Sequence, residues 1–444
     1  MTRPTILFFA RGYQADYFPT LACAEWDSLF VTLTPGEKAL VEARGQKVAA
    51  CFEEMVDTLA PAPVPQGYLR SSFLADRFLG RFDAEQRRDL LGRMIRFWGD
   101  LLDTHRPVAV MNELVAIEIS EVLLIEAERR GIRYLAGMNC VVEDWFYWLA
   151  NPLSLSGRHM ALPAPSEASR ALARAYLAEL KAKDYQPFYV RGLKRPPALK
   201  LLAAGLVRWL QWQARIRLSR RFRYEDYREE YGKRVEIALA GLWRRYDRLD
   251  AVPTGREIIF YPLHQEPEAT LNYMSTFNAN QVATIENILK CLTPEQVLVV
   301  KEHPVDAGAL LRGKFQKLRR DASGLFYLPA EVHGREVLAL GARVVTLTST
   351  VGWEATALGH PVYVLGEIFY DVYPGVTRVE GWPDLRALLR APARVPEVAG
   401  DALEEFVARM VEASVPGNPF PHDGLYSEAN RAKVLAAIRG AAIG

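Results

Sequence analysis

Phe260-Tyr-Pro-Leu-His-Gln-Glu-Pro-Glu268 follows the apolar start Glu257-Ile-Ile, and further on stands Gln296-Val-Leu-Val-Val-Lys-Glu-His-Pro304. These two stretches decide the fold. Each begins as a nearly continuous apolar run, as a parallel strand buried on both faces requires, and each ends abruptly in polar residues. Between them, residues 280–292 carry apolar positions at helical spacing. Strand, helix, strand is a βαβ unit, whose crossover is right-handed and whose strands are parallel. The pattern continues with a helix over 309–319 and short strands over 324–328, 344–347 and 362–365. Residues 256–400 therefore read as a Rossmann-like lobe. Ligands in such sheets bind outside the carboxyl ends of the strands, so the polar residues after each run are the candidates for chemistry.

Outward to the N-terminus the alternation recurs. Strands are expected over 5–10, 28–33, 47–52, 108–111 and 133–138, with helices over 71–103 and 116–130, the latter ended by Gly131. This makes residues 1–165 a second Rossmann-like lobe, expected to face the acceptor. From 166 to 255 strand signals vanish. Helical, arginine-rich sequence takes over, punctuated by Pro196-Pro197, Pro253 and Gly255, and reads as an insert or connector. Residues 401–444 look helical, over 402–413 and 427–438, and are expected to pack back on the first lobe. The fold class is α/β, with two Rossmann-like lobes facing across a cleft: the GT-B arrangement, used by nucleotide-sugar transferases and by sugar-nucleotide epimerases.

Composition narrows the function. Across 444 residues, 55 basic side chains stand against 53 acidic ones, so a domain-wide nucleic-acid footprint is not indicated. Cys23, Cys51, Cys140 and Cys291 are scattered without a CxxC pair, which argues against a disulfide scaffold or a cysteine zinc site. The early apolar run ends at Arg11, too short for a secretory signal, and no run reaches membrane-spanning length. A cytoplasmic chain is expected, placed at the inner face of the cytoplasmic membrane if its basic stretch meets lipid.

The strand ends carry the candidate site. His264, Gln265, Glu266 and Glu268 crowd an imidazole, an amide and two carboxylates after the first strand of the C-terminal lobe. A carboxylate there can attack an anomeric carbon or act as a base, or Glu268 can simply sit at a helix start. Lys301, Glu302 and His303 end the next strand, where a protonated or donor histidine beside a lysine suits a phosphate leaving group. In Val345-Thr-Leu-Thr-Ser-Thr-Val-Gly-Trp-Glu-Ala355, Thr348, Ser349 and Thr350 can give hydroxyls and backbone N–H groups to a phosphate at a helix N-terminus. The same groups serve ordinary capping. Gly352 would permit close approach of a ligand, and Glu354, a turn further, could bind a ribose diol. Gly359-His-Pro-Val-Tyr-Val-Leu-Gly366 with Phe369, Tyr370 and Asp371 could close the pocket with aromatic surface, His360 being structural.

In the first lobe, Asn112 and Glu113 follow a short strand and would face the cleft. Glu113 either deprotonates an acceptor hydroxyl or serves as a dipole-favoured carboxylate at a helix start. Arg11 could contact acceptor or substrate carboxylate. Residues 194–223 hold nine basic side chains and no acidic one, with Trp209 and Trp212 among them. That stretch is either a helix on an anionic membrane surface or a solvated helix packing through its aromatics. No Asp-x-Asp or GxxxxGK[ST] occurs, and no metal site is expected.

Taken as an ordered set over 258–371, the Phe260–Glu268 run, Lys-Glu-His-Pro304, the Thr348-Ser-Thr-x-Gly-x-Glu-Ala355 turn and the Gly359-His-Pro-Val-Tyr segment resemble the bacterial capsule polysaccharide biosynthesis family, which includes retaining β-Kdo transferases. The resemblance implies that His303, Ser349 and the neighbouring threonines hold the phosphate of a CMP-sugar and that Glu354 holds the ribose. Glu268 stands where those transferases place an aspartate, the proposed covalent nucleophile, and Glu113 looks like their acid/base. The glutamate is one methylene longer, and the same position can instead hold the acceptor or the sugar. The implied activity is transfer of Kdo or a related 2-keto acidic sugar from its CMP-sugar to a surface-glycan or lipid-linked acceptor, with retention and with no cofactor or metal. Three rivals stand beside it: a UDP-sugar transferase, a sugar-nucleotide epimerase, and a non-catalytic assembly factor held at the membrane by the basic stretch.

Overall fold

The computed structural model describes residues 3–65, 75–182, 198–218, 222–228, 246–266, 268–304, 313–393 and 400–444, with Tyr68, Tyr185, Tyr231, Gly232, Arg234, Val235, Ala238, Gly308 and Leu310. In chain order the first lobe holds β1 (Thr5–Ala10), β2 (Asp27–Thr32), α1 (Pro35–Ala43), β3 (Val48–Cys51), α2 (Ala84–His105), β4 (Ala109–Asn112), α3 (Glu118–Glu128), β5 (Arg133–Asn139) and β6 (Trp145–Trp148). The connector holds α4 (Glu167–Leu180) and α5 (Ala198–Leu218). The second lobe holds β7 (Glu257–Pro262), α6 (Gln281–Cys291), β8 (Gln296–Lys301), α7 (Gly313–Asp321), β9 (Leu325–Leu328), β10 (Arg343–Thr346), α8 (Thr350–Ala357), β11 (Val362–Val364), β12 (Val376–Arg378) and α9 (Trp382–Arg390). The tail holds α10 (Gly400–Glu412), β13 (Val415–Pro416) and α11 (Glu428–Ala442).

The strands form two sheets, ordered β13-β6-β5-β4-β1-β2-β3 and β12-β11-β10-β7-β8-β9. The second is parallel throughout, and the first is parallel except at β5–β6 and β6–β13. Side chains alternate as the pleat demands. Ile258 and Phe260 enter one apolar cluster while Ile259 and Tyr261 enter the other, and Leu7 and Phe9 divide likewise from Ile6 and Phe8. Each such buried side chain stabilises the fold by roughly 1.5–3 kcal/mol, which is why these runs read so clearly in the sequence. This is the two-lobed α/β arrangement expected.

Several expectations need correction. The long helix of the first lobe begins at Ala84, because Asp83 and Gln86 close a capping box there; residues 75–82 form turns, and 71–74 lie outside the described residues. The strands β6, β12 and β13 were not anticipated. They are short, and β6 is the aromatic run Trp-Phe-Tyr-Trp without an obvious partner in the local sequence. The connector is not a separate body. α4 packs with α10, where Arg170 and Arg174 pair with Glu405 and Glu404. Residues 222–228 lie on the first lobe through Phe222, Tyr224 and Tyr227. Tyr246 and Asp247 bind Glu302, Tyr327 and Arg319 of the second lobe. The tail also divides: α11 covers the first sheet with Val434 and Ile438, with Leu425 just before the helix in the same cluster, whereas α10 joins α4 and Trp353 in a cluster that runs through both lobes.

Candidate functional site

β7 lies between β10 and β8, all parallel, so their carboxyl ends open on one edge. With neighbouring strands about 4.8 Å apart, the residues after β8 and β10 flank those after β7 at about 10 Å from one another. His264 occupies the middle. Gln281, at the start of α6, clamps its backbone: the His264 N–H donates to Gln281 Oε1 (2.7 Å), and Gln281 Nε2 donates to the His264 carbonyl (3.0 Å). The ring Nε2 accepts from the Thr348 N–H at 3.0 Å. That contact assigns the proton to Nδ1. His264 Nδ1 is buried and has no hydrogen-bond partner among the described residues, and the same is true of Thr348 Oγ1. Burial, reinforced by His303, lowers the His264 pKa to about 3. As a catalytic candidate His264 is left as a donor through Nδ1, because its basic nitrogen is engaged and the ring is neutral.

His303, after β8, is half-buried. Desolvation and the nearby Lys301 ammonium lower its pKa to about 4, so it too is a neutral ring near neutral pH rather than an imidazolium. Lys301 is buried and donates to the Glu302 carbonyl at 2.9 Å. Desolvation lowers its pKa to about 8, against the pull of Glu302, Glu331, Glu336 and Glu354. Glu302 turns away from this edge and accepts from Tyr246, Tyr327 and Gly308, tying the connector to β9.

On the other flank Ser349 caps α8, its hydroxyl accepting from the Val351 N–H at 3.2 Å, with Thr350 as the first helical residue. Glu354 is buried and paired to Arg335 at 3.1 Å, while burial pushes its carboxyl up. Arg335 also donates to the carbonyls of Leu180 and Ala182 at the end of α4. A ribose would therefore share Glu354 with this arginine. Gly352 does not leave room for a ligand. The Tyr370 hydroxyl and the Thr346 methyl fill the space that a side chain would take. Phe369 and Tyr370 are core residues packed on Trp353, not pocket walls. Asp371 is fully enclosed and binds Ser156, Gly157 and Arg378. His360 contacts the Ala342 carbonyl and is structural.

The loop after His264 carries Gln265, Glu266 and Glu268, all partly buried; Pro267 lies outside the described residues. Glu266 accepts from Gln281 Nε2 at 3.3 Å. Glu268 stands at the N-cap of the turn Ala269–Asn272, and burial raises its pKa against a hydrogen bond from Thr270.

In the first lobe β4 neighbours β1, which sets Arg11 beside Glu113. Arg11 is buried. Its Nη1 lies 3.3 Å from Glu113 and its Nη2 lies 3.0 Å from Glu225, a connector residue. Burial opposes its charge, but Glu225, Glu113 and Glu37 outweigh that and keep it protonated. Burial pushes Glu113 up, partly offset by Arg11 and Arg77. Asn112 does not face the cleft as expected. It is buried, and its amide donates to Tyr134 (2.9 Å) and Ser120 (3.3 Å). Arg11 likewise acts on Glu113 rather than offering a free fork to a ligand. Tyr273, five residues beyond Glu268, is partly buried with its hydroxyl enclosed in the field of Asp76, Glu118, Glu121 and Arg11, which carries the Glu268 loop towards the first lobe's strand ends.

The structure thus gathers Lys301, His303, His264, Thr348 and Ser349 on one edge, and Arg11 with Glu113 on the other. Sequence reasoning missed Gln281, Arg335, Glu225 and Tyr273. For Glu225 a signal existed: it is the first acidic residue after the basic stretch. No group of three or more His, Cys, Asp or Glu suited to a metal occurs among the described residues.

Among solved structures, the chain is similar to Thermosulfurimonas dismutans KpsC, beta Kdo 2,7 transferase, at 14% identity and TM-score 0.34, covering 82% of this chain and 97% of that one. It is also similar to the beta Kdo 2,4 transferase of the same organism's KpsC, at 15% identity and TM-score 0.32, covering 70% and 82%. UDP-GlcNAc 2-epimerase from Neisseria meningitidis shares 12% identity at TM-score 0.29 over 98% of each chain. Similarities this distant do not choose between the activities of those proteins. No curated protein sequence matches the chain. The family profile described as capsule polysaccharide biosynthesis protein matches residues 217–399, the end of the connector and the whole second sheet. Over that segment the chain is similar to the capsule polysaccharide biosynthesis family.

Proposed function

We propose that the protein is a glycosyltransferase that moves a CMP-activated 2-keto acidic sugar, Kdo or a nonulosonic acid, onto a surface-glycan or lipid-linked acceptor. The observation that carries this reading is the pair of buried donors without a partner among the described residues, His264 Nδ1–H and Thr348 Oγ1, at the tip of α8 beside His303. Neutral donors and a helix N-terminus suit a single phosphate, as in a CMP-sugar, and leave such donors costly to bury empty. Lys301, ionised below about 8, supplies a cation on that edge.

The chemistry follows in two displacements. The Glu268 carboxylate forms a bond to the anomeric carbon as the carbon–oxygen bond to CMP breaks, its electron pair leaving on the phosphate. His303, His264 and the α8 tip receive that charge. The acceptor oxygen then attacks the same carbon, Glu113 takes its proton, and Glu268 departs as carboxylate. Two inversions retain configuration. The raised pKa of Glu113 suits a group that must hold a proton.

Calorimetric titration with CMP and UDP, followed by NMR of the product anomer, tests the reading. Tighter binding of CMP and a retained anomer are expected. Preference for UDP, or turnover of the donor without acceptor, would overturn it. Glu268→Gln is expected to lower transfer by about a thousandfold or more while CMP affinity stays the same. Full transfer by that variant would remove Glu268 as the nucleophile.

A further inference from the structure

α5 is apolar on two sides, and only one of them is partnered. Its inner arc holds Gly205, Trp209, Trp212 and Ile216. Trp212 packs on Tyr227 at 5.5 Å between ring centroids, Trp209 lies against Gly232, Gly205 against Val235, and Ile216 beside Phe222. The inner arc thus docks on the chain that joins the connector to the first lobe. At about 3.6 residues per turn, Leu206, Leu210, Val207 and Leu218 fall together on the opposite arc. They are exposed by 44%, 52%, 53% and 84%. Lys200 and Arg217 are exposed on that arc; Arg208 and Arg215, also exposed, stand beyond its edge over the Tyr231 and Trp212 rings at 5.8 and 5.9 Å, and α5 contains no acidic residue. A helix with water on one side is expected to turn mostly polar residues to it, and this one mixes four exposed apolar side chains with its cations.

We propose that the outer face of α5 docks on an anionic lipid surface, with Leu206, Val207, Leu210 and Leu218 entering the headgroup boundary and Lys200, Arg208, Arg215 and Arg217 meeting lipid phosphates. Charge complementarity selects this occupant. A second copy meeting face to face would oppose the same cations, and a purely electrostatic partner would leave the leucines in water. Because α5 is carried by the chain that rests on the first lobe, docking would hold that lobe's strand ends, with Glu113, close to the bilayer. No helix among the described residues is long and apolar enough to cross a membrane, so the contact lies in the surface plane. The proposal does not rest on the transfer chemistry.

Co-sedimentation of the full chain with phosphatidylcholine vesicles, with and without phosphatidylglycerol, tests it. Binding is expected only with the anionic lipid, and is expected to weaken with salt. The double variant L206E/L210E, changed at exposed positions, is expected to lose vesicle binding by about tenfold or more. The triple variant K200Q/R215Q/R217Q is expected to lose the preference for anionic lipid. Unchanged melting and CMP titration would establish that both variants are folded. Equal binding to neutral vesicles, no binding by the wild type, or variants that bind as well as the wild type would overturn the proposal. So would a change in oligomeric state in L206E/L210E with vesicle binding unaltered, which would make the face a contact between copies.

Discussion

Thr348 separates two meanings of a hydroxyl at a helix start. Ordinary capping would satisfy it inside the fold, yet its Oγ1 is buried without a partner among the described residues, one peptide N–H away from the His264 ring. If the position exists to bind phosphate, Thr348→Val should not destabilise the free protein, because it removes an unpaired polar group. It should weaken CMP by about fivefold, the worth of one hydrogen bond near 1 kcal/mol. Thermal melting with and without CMP reads both effects at once. A fall in the melting temperature of the free protein, with CMP affinity unchanged, would assign the hydroxyl to the fold. The sequence supplied the residue types here, since Thr348, Ser349 and His303 stand at strand ends and are polar. It could not supply the tautomer of His264 or the low basicity of both rings. Those depend on what the polar atoms meet across strands distant in the chain.

At the scale of elements, the connector's grip on the first lobe has a pH signature. The Tyr224 N–H donates to Glu53 at 2.8 Å, and burial raises the Glu53 pKa from its ordinary 4.5 to about 7. Between those values the folded chain holds a proton that the unfolded chain has released. Stability from this group is therefore full below 4.5 and is lost as pH rises through about 7. Glu53→Gln keeps the acceptor and removes the titration. The stability difference between the two proteins is expected to change by about 2 kcal/mol across that window in denaturant melts. A constant difference would place Glu53 in an ordinary aqueous setting. α8 offers a second test. A methyl at Gly352 would run into the Tyr370 hydroxyl, so Gly352→Ala is expected to cost about 1–3 kcal/mol. Adding Tyr370→Phe should recover part of that cost, and strict additivity of the two changes would disprove the contact. Gly352 was legible as a place needing no side chain. What needs the space is a tyrosine from another loop, and local sequence carries no sign of that.

For the whole molecule, Asp371 is the joint to examine. It receives the Ser156 hydroxyl (2.7 Å) and the Gly157 N–H (3.0 Å) at the end of the first lobe, and Arg378 (2.9 Å) from the second. Gly157 sits so close to the Phe369 carbonyl that no side chain fits there. Asp371→Ala would leave Arg378 without its partner and two donors unmet, and is expected to destabilise the protein by about 3–5 kcal/mol in chemical denaturation. A loss below about 1 kcal/mol would show that the shared apolar cluster alone joins the lobes. The sequence by itself determined the two βα-alternating lobes and the polar strand ends, because buried parallel strands must be apolar throughout and ligand groups must stop where they end. Only the tertiary structure decided which polar groups remain open. It spent Asn112, Glu302 and Asp371 on the fold, gave Arg11 a second carboxylate from the connector, and left His264 Nδ1 and Thr348 Oγ1 without partners among the described residues. Such pairings are set by distances between residues far apart in the chain, and no local pattern of residues encodes them.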